Sequence, residues 1–579
     1  MRHSETDILI IGGGGAGLFA ALHAHAANPK LRIALAVKGL LGKCGCTRMV
    51  QGGYNAALGG GDSVELHFRD TIEGGKWLPH QELAWRLCET APLRVRQLEN
   101  EYGCFFDRNH DGTLHQKPFA GQRFDRTVHK GDLTGIEIMN RLMEQARELP
   151  MQIFEEHRAL ALLPARDGGR LCGALLVDMR GGEMHCVRAA ATLLATGGGP
   201  TMYRYHTPSG DKSMDGLAMA LRLGLGLRDM EMVQFHPTGL LAGADTRMTG
   251  TVLEEGLRGA GGHILNGDGR RFLLDHDAAG ERATRDIVSR AMFAEMRAGR
   301  AAPNGGVWLT MRHLGADSVR RQFPGMVKRC ADCGFDLAAG QVEVAPTAHY
   351  FMGGVVVDAG GASEMPGLFV AGEDPRGVPC ANRLGGNGLA HPTVFGRMSG
   401  ESMAKYVASE FGAGGCAAPP APQPGLAEAE AEHAAEPFSL PRGNVHALRE
   451  KLQETMWRDA GVLRDAPGLR SAMAQLAQQK DELRRTGVGG GRAFNPAWHD
   501  WLNLRSLLDV SEAIAAAALA RENSRGAHFR EDFPGDGGLR NSHFTVCRQT
   551  GQNENSVEVT QIPVAFTILQ PPDNPAPPA

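Results

Sequence analysis

The sequence predicts an α/β protein. A Rossmann-like nucleotide-binding domain is returned to by distant parts of the chain, and a helical domain follows it. Three observations carry this reading. "TDILIIGGGGAGLFAALHAHA" joins an apolar strand to a helix through a glycine turn. "ATLLATGGG" and "GLFVAGE" are two further apolar strands, far downstream, that end in small or acidic residues. Behind them, "NVHALREKLQETMWRDAGVLRD", "APGLRSAMAQLAQQKDELRR" and "WLNLRSLLDVSEAIAAAALARENSR" repeat apolar residues at helical spacing.

In the first element, Gly12, Gly14 and Gly17 fit G-x-G-x-x-G between strand and helix. The first glycine makes the tight turn and the second lets backbone amides approach a pyrophosphate. The third lets helix and strand pack closely, and the helix N-terminus attracts the phosphates. The second strand, "LRIALAVKG", would end in an acid if the ligand were NAD; it ends in Val37-Lys38-Gly39. A site visited three times therefore points to FAD. Glu373, closing "GLFVAGE", is expected to accept hydrogen bonds from a ribitol or ribose hydroxyl, with a solvated strand-end acid as the alternative.

The stretch 411–442, "FGAGGCAAPPAPQPGLAEAEAEHAAEP" and its continuation, reads as a low-complexity linker. Residues 443–535 read as the helical domain and 536–579 as a loose tail ending in "QPPDNPAPP". The formal charge of −4 across 579 residues argues against nucleic acid as a partner. Eleven scattered cysteines do not resemble a secreted disulfide framework. Cys44 and Cys46 lack the further ligands of a metal site, and a bridge between residues so close would be strained. Cys330-Ala-Asp-Cys333 is a single C-x-x-C pair, so no metal is expected. With no membrane-length apolar run, the expectation is a cytoplasmic protein whose membrane attachment, if it has one, comes through partners.

Polar clusters fill the middle of the chain. "MEMVQFHPTGL" holds His236, "VLEEGLRGAGGHILN" holds Glu254, Glu255 and Arg258, and "ERATRDIVSRAM" holds Arg285. "APTAHYFMGGV" holds His349 and "CANRLGGNGLAHPTVFG" holds Arg383. Each alone has a bland reading as a core histidine or a solvated arginine. Together, histidines and arginines around a flavin suit an anionic substrate: guanidinium forks hold carboxylates. The chemistry implied is hydride transfer between the flavin and a carbon beside those carboxylates.

These segments, with "QGGYNAALG", "PFAGQ", "RDIVSRAM" and "ENSRGAHFREDFP" in the same order, resemble the succinate dehydrogenase/fumarate reductase flavoprotein subunit family, which includes L-aspartate oxidase. The resemblance implies an FAD-binding domain in two parts, 1–236 and 346–410, with an α+β capping domain inserted at 237–345. It implies that Arg285 is the acid and base at the substrate carbon, with Glu255 and Arg258 relaying protons. His236, His349 and Arg383 would clamp carboxylates, and Phe119 would cover the substrate. It implies FAD contacts at Gly12, Gly14, Gly17, Lys38, Cys46, Thr47, Gln51, Gly52 and Gly53, then at Thr196, Gly197, Gly198, Asp215, Glu373, Asn387 and Leu389. The helix after Gly388 would point its positive end at the flavin. An iron–sulfur protein would be the electron partner.

Two positions depart from the family pattern. Where the family carries a carboxylate-binding threonine, this chain has Glu254. A carboxylate there repels a dicarboxylate unless a proton or a cation intervenes. Either Glu254 meets a donor group on a modified dicarboxylate, or it turns aside and pairs with a nearby arginine. Phe119 stands where L-aspartate oxidase has a glutamate, which favours the dehydrogenase/reductase branch over the oxidase. A decayed flavoprotein serving electron transfer alone is the third alternative, and the intact Arg285, Glu255, Arg258 set argues against it. The second departure is Cys46, at the place of the family's flavin-tethering histidine. Non-covalent FAD is expected. A thioether remains open because Lys43 and Arg48 could lower the thiol pKa.

Overall fold

A computed structural model of the chain describes residues 1–243, 246–550 and 557–572. Its main sheet has seven strands. Gln152–Glu155, Ile33–Val37, Arg2–Ile11 and Met184–Leu194 lie side by side in parallel. Leu368–Val370 adds a parallel partner to the C-terminal half of Met184–Leu194. Leu171–Asp178 and His157–Pro164 continue the sheet antiparallel from its N-terminal half. Ile8 to Ile11 are almost fully buried, as expected for a parallel strand covered on both faces. In register, Ile11 stands beside Ala36 on one side and Leu194 on the other. The turns at Gly12, Val37 and Ala195 therefore open at one edge, the carboxyl ends of the strands, where such sheets bind ligands.

The inserted unit is built on a four-stranded antiparallel sheet ordered Val233–Leu240, Gln341–Phe351, Val307–Thr310, His263–Leu265. It has a hydrophobic core of its own, including Leu240, Leu257, Ile264, Phe272, Val307 and Val344. The expected bounds 237 and 345 fall inside its two long strands. These strands run from the cap back into the nucleotide-binding domain and carry His236 and His349 where the two units meet.

The helical region has three long helices, Val445–Asp459, Ala466–Arg484 and Pro496–Ala520. Each starts on a side-chain cap: Asn444, Asp465 and Asn495 accept from Ala447, Gly468 and Trp498 amides. Two expectations are corrected behind the nucleotide-binding domain. The presumed linker contains the helix Leu426–Ala435, which buries Ala427, Ala431 and Ala434 in the main core. Those alanines fall at i, i+4 and i+7, so the alanine-rich composition hid a packed helical face. The presumed tail contains the strands His543–Gln549 and Val557–Pro563, paired antiparallel and joined to Leu227–Arg228. Its last seven residues lie outside the described ones. Among the described residues no helix is long and apolar enough to cross a membrane.

Candidate active site

One continuous cleft, with about 2280 Å³ of empty space including its open mouth, runs from the glycine turn to His236, Arg285, His349 and Arg383. At its first end the site is backbone. Gly12 has φ +119°, and a Cβ there would lie 2.0 Å from Ala195 O. A Cβ on Gly17 would lie 1.9 Å from Gly12 O, so this glycine packs helix on strand and does not line the cleft. The helix Gly15–Ala27 starts at Gly14 with no side chain capping it from that position. Thr47 Oγ1 accepts from Gly15 N–H at 3.2 Å, bringing the Cys46–Thr47 loop onto the helix start.

Buried polar groups fix the loops around this end. Lys38 Nζ reaches Asp211 O, Ser213 Oγ, Asp215 Oδ2 and Asn503 Oδ1 at 2.8 to 3.1 Å. Burial, then Arg158, pull its pKa down to about 8. Asp215 also accepts from Arg158 at 2.7 Å. Burial works to raise its pKa, but Arg158 and Lys38 outweigh burial and hold it well below the carboxylate range. Asp374, fully buried, accepts from Thr196 Oγ1 at 2.8 Å and from Gly197 N–H at 3.2 Å. Thr196 thus borders the cleft while its hydroxyl faces inward, and Gly197 and Gly198 continue that wall. Glu373 is no solvated acid. It lines the cleft, accepts from Phe351 N–H at 2.8 Å, and is pushed up to about 8 by burial.

At the other end the site is side chains. Two irregularities break the pairing of Val233–Leu240 with Gln341–Phe351. Phe235 pairs with Ala348 and Gln234 with Tyr350, so His349 is the extra residue of a bulge. A bulge of this kind re-aims a side chain, here into the cleft. His349 Nδ1 is 2.9 Å from Thr207 Oγ1. His236 Nδ1 accepts from Thr238 N–H at 3.3 Å, which leaves its Nε2 as the donor. The rings lie 5.2 Å apart. Burial first, then Arg285, holds both imidazoles well below their usual range, so they are neutral donors.

Arg285 begins the helix Arg285–Arg297. Its Nε donates to Glu255 Oε2 at 3.1 Å, its Nη2 to the same oxygen, and its Nη1 to Gln234 Oε1 at 3.0 Å. Arg258 Nη2 donates to the other Glu255 oxygen at 3.1 Å, and Arg258 Nη1 to Glu281 O at 2.6 Å. Burial would raise the Glu255 pKa, but the two guanidiniums outweigh it and hold it low. A second, small cavity borders Glu255, Arg258 and Arg282. Arg383 differs. It is 6% exposed, its Cζ lies 4.3 Å from the Tyr350 ring centre, and among the described residues no acceptor meets its guanidinium. Burial, then Arg285, lower its pKa to about 10. Phe119 is wedged between Gly52 and Gly385: a Cβ on either would lie 2.6 or 2.5 Å from its ring.

Three expectations change at this site. Asn387 does not line the cleft; its amide is taken up by Asn55, His67 and Thr71, while Gly386, Gly388 and Leu389 form the wall there. Glu254 lines the cleft but turns to a lysine, not an arginine: Lys117 Nζ donates to its Oε1 at 2.8 Å. Cys46 lines the cleft beside Gly52 and Gly53, but its thiol is raised to about 12, by burial and then by Glu373. Arg48 donates its Nη1 to Gly42 O and Asn140 Oδ1, and burial outweighs any cation near the thiol. Gln51 also lines the cleft, and with its amide turned to satisfy both groups its oxygen accepts from Arg329 Nη2 of the cap at 3.0 Å.

Sequence reasoning missed Gln234, Thr207, Asp374 and Lys117. Gln234 was the most accessible. It stands two positions before His236 on one strand, the spacing that shares a face, and it holds both Arg285 and the Arg383 backbone carbonyl.

The residues fit FAD: a glycine cradle at a helix start, an acid at a strand end, Glu373, for a hydroxyl, and an uncapped helix, Asn387–Phe411, starting at the cleft. Comparisons with known proteins agree. The FAD binding domain family matches residues 7–389, and the fumarate reductase flavoprotein C-terminal family matches 449–576. The chain is 39% identical to a subunit of the CoM/CoB fumarate reductase of Methanothermobacter marburgensis, over 92% of this chain and 95% of that one. It is 34% identical to a fumarate reductase flavoprotein subunit of Mycobacterium tuberculosis, over 98% of each. A solved quinol fumarate reductase chain of Escherichia coli superposes with a TM-score of 0.92 at 32% identity, covering 99% of both. An Archaeoglobus fulgidus adenylylsulfate reductase, 16% identical, shares the fold with a TM-score of 0.79 over 98% of this chain and 97% of that one.

Proposed function

We propose, from the premise that this chain belongs to the succinate dehydrogenase/fumarate reductase flavoprotein family, that it interconverts fumarate and succinate. The observation that carries this reading is Arg383. A buried guanidinium with no protein acceptor is costly, and a substrate carboxylate placed against it removes that cost. The imidazoles of His236 and His349 supply neutral donors from the facing strands.

Bound FAD supplies the two-electron chemistry at the substrate carbon. Gly12, Gly14, Glu373, Leu389 and the loops at Lys38, Thr47 and Thr196 to Gly198 would hold it. Arg285 then exchanges the proton at the neighbouring carbon. A free guanidinium hardly gives up a proton. Here Glu255 accepts two hydrogen bonds from Arg285 and one from Arg258, so as Arg285 releases a proton another can move along the same ionic chain. Phe119 and the cap close over the reacting carbons and exclude water.

The same reading keeps FAD non-covalent, because the Cys46 thiol is not activated. It assigns electron exchange to an iron–sulfur protein partner, and any membrane attachment to partner subunits. The test uses the FAD-loaded chain with a reduced viologen dye. Fumarate is expected to reoxidise the dye, and succinate to reduce a high-potential acceptor. A flavin neither reoxidised by fumarate nor reduced by succinate overturns the reading.

A further inference from the structure

Glu254 is 4% exposed and lines the cleft next to Glu255. Alone, it would set a negative charge where a dicarboxylate has to lie. Lys117 meets it from the other domain. The strand Gln116–Lys117 pairs with Thr127–Val128 in the nucleotide-binding domain, two residues ahead of Phe119, whereas Glu254 belongs to the cap. Lys117 Nζ donates to Glu254 Oε1 and to Gly131 O, both at 2.8 Å, so the ammonium is held from two sides. The pair is largely buried, with side chains 19% and 5% exposed. Lys117 itself does not line the cleft and can reach a substrate only through Glu254.

We propose that Lys117 and Glu254 form one specificity-determining unit across the seam between cap and nucleotide-binding domain. Lys117 is a positioning residue: it neutralises Glu254 and draws Oε1 toward the seam, so that a doubly negative substrate is accepted. The ion pair bridges the two domains, so it is complete only with the cap seated on the nucleotide-binding domain. The unit answers the objection that Glu254 raises against a dicarboxylate substrate, and it rests on the fumarate reading above.

A double-mutant cycle on the FAD-loaded chain tests it, with the dissociation constant of malonate, read from the flavin spectrum, measured beside fumarate turnover. Lys117→Met is expected to raise KM for fumarate and Kd for malonate at least about tenfold, because one buried charge loses its partner, while kcat changes little. Lys117→Arg restores both constants. Glu254→Gln alone binds malonate no more weakly than wild type. Adding it to Lys117→Met removes the defect, to within the roughly twofold error of additivity. If Lys117→Met loses flavin, Lys117→Gln takes its place in the cycle. Unchanged constants in Lys117→Met or its Lys117→Gln substitute, or a defect that persists in the double variant, overturn the proposal. A wild type that neither turns over fumarate nor binds malonate instead overturns the functional reading, and this inference with it.

Discussion

The phosphate end of the cleft is made of backbone, and the substrate end is made of side chains. Gly12, Gly14 and Gly17 lie in one turn of chain, and the first and last leave no room for a Cβ. At the substrate end Phe119, His236, Glu255, Arg285, His349 and Arg383 come from distant segments of the chain. Within that end, two arginines face the same space in different states. Arg285 is paired with Glu255 and Gln234, whereas among the described residues Arg383 meets only the Tyr350 ring. A paired guanidinium suits proton exchange, and an unpaired one suits holding an anion. On the proposed function the difference between the ends is one of mechanism: close backbone approach would bind the cofactor, and preorganised charge would handle the substrate.

The largest expected effect sharpens the contrast between the arginines. Arg285→Lys should lower kcat for fumarate reduction by about 10²- to 10³-fold, the scale for losing a preorganised donor. An ammonium cannot hold Glu255 and Gln234 with the guanidinium fork. FAD content should stay at the wild-type level, because Arg285 contacts nothing at the phosphate end. A near-normal rate would remove Arg285 from the chemistry.

Arg383→Met should act on the other constant. Loss of its charge-assisted hydrogen bonds, worth about 1.5–3 kcal/mol, should raise KM by about ten- to a hundredfold. The apo protein should melt at a higher temperature than wild type, because a buried, unpaired charge is replaced by an apolar chain of similar length. Arg285→Met should instead lower the melting temperature, since it leaves the buried Glu255 with Arg258 alone and Gln234 Oε1 without its donor. Thermal melts of the two variants side by side decide it: if both shift the same way, the distinction between paired and unpaired arginine fails.

How much of this could be read from the chain follows the same division. The glycine motif was legible because close packing admits one residue type at fixed spacing. His236, Arg285, His349 and Arg383 stood out as polar residues in apolar segments, yet spacing alone assigned them no partners. Lys117 and Thr207 were invisible because the residues that give them meaning lie 137 and 142 positions away. Asn387 was misassigned for the opposite reason. It starts a helix at the cleft, where a polar side chain suggests a ligand contact, but Asn55, His67 and Thr71 take its amide. The helix Leu426–Ala435 was missed because alanine reads as low complexity until its spacing is matched to a buried face.

At the phosphate end the expected effects are smaller. Glu373 has a pKa pushed up to about 8 by burial, above the carboxylate value it has in the unfolded chain. The folded apo protein therefore binds the extra proton, and the stability this gives at low pH is lost as pH rises through about 8. FAD hydroxyls donating to Glu373 favour its ionised form. FAD affinity should accordingly rise with pH below about 8, by at most about tenfold per unit. Glu373→Gln should flatten that dependence. Asp374, raised to about 7 by burial and facing Thr196 and Gly197, remains in the variant and titrates on its own. Flavin fluorescence quenching at several pH values reads the effect, and an unchanged slope in Glu373→Gln would assign it elsewhere.

The smallest effect concerns Cys46, where the two ends meet. A thioether to the flavin needs a thiolate, since the thiol itself is a poor nucleophile. Burial first, and then Glu373 once ionised, push the Cys46 thiol up to about 12, so near neutral pH it stays protonated. Arg48, close to it in sequence, is held by its Nη1 on Gly42 O and Asn140 Oδ1. Cys44 offers no substitute, because burial raises its pKa as well. Acid precipitation should therefore leave FAD in the supernatant and the intact mass of the chain unmodified. Cys46→Ser should release the same amount of FAD and keep the wild-type turnover, unlike any change at Arg285. A flavin mass on the peptide that carries Cys46, absent in Cys46→Ser, would mean that binding of FAD itself lowers the thiol pKa enough for the bond to form.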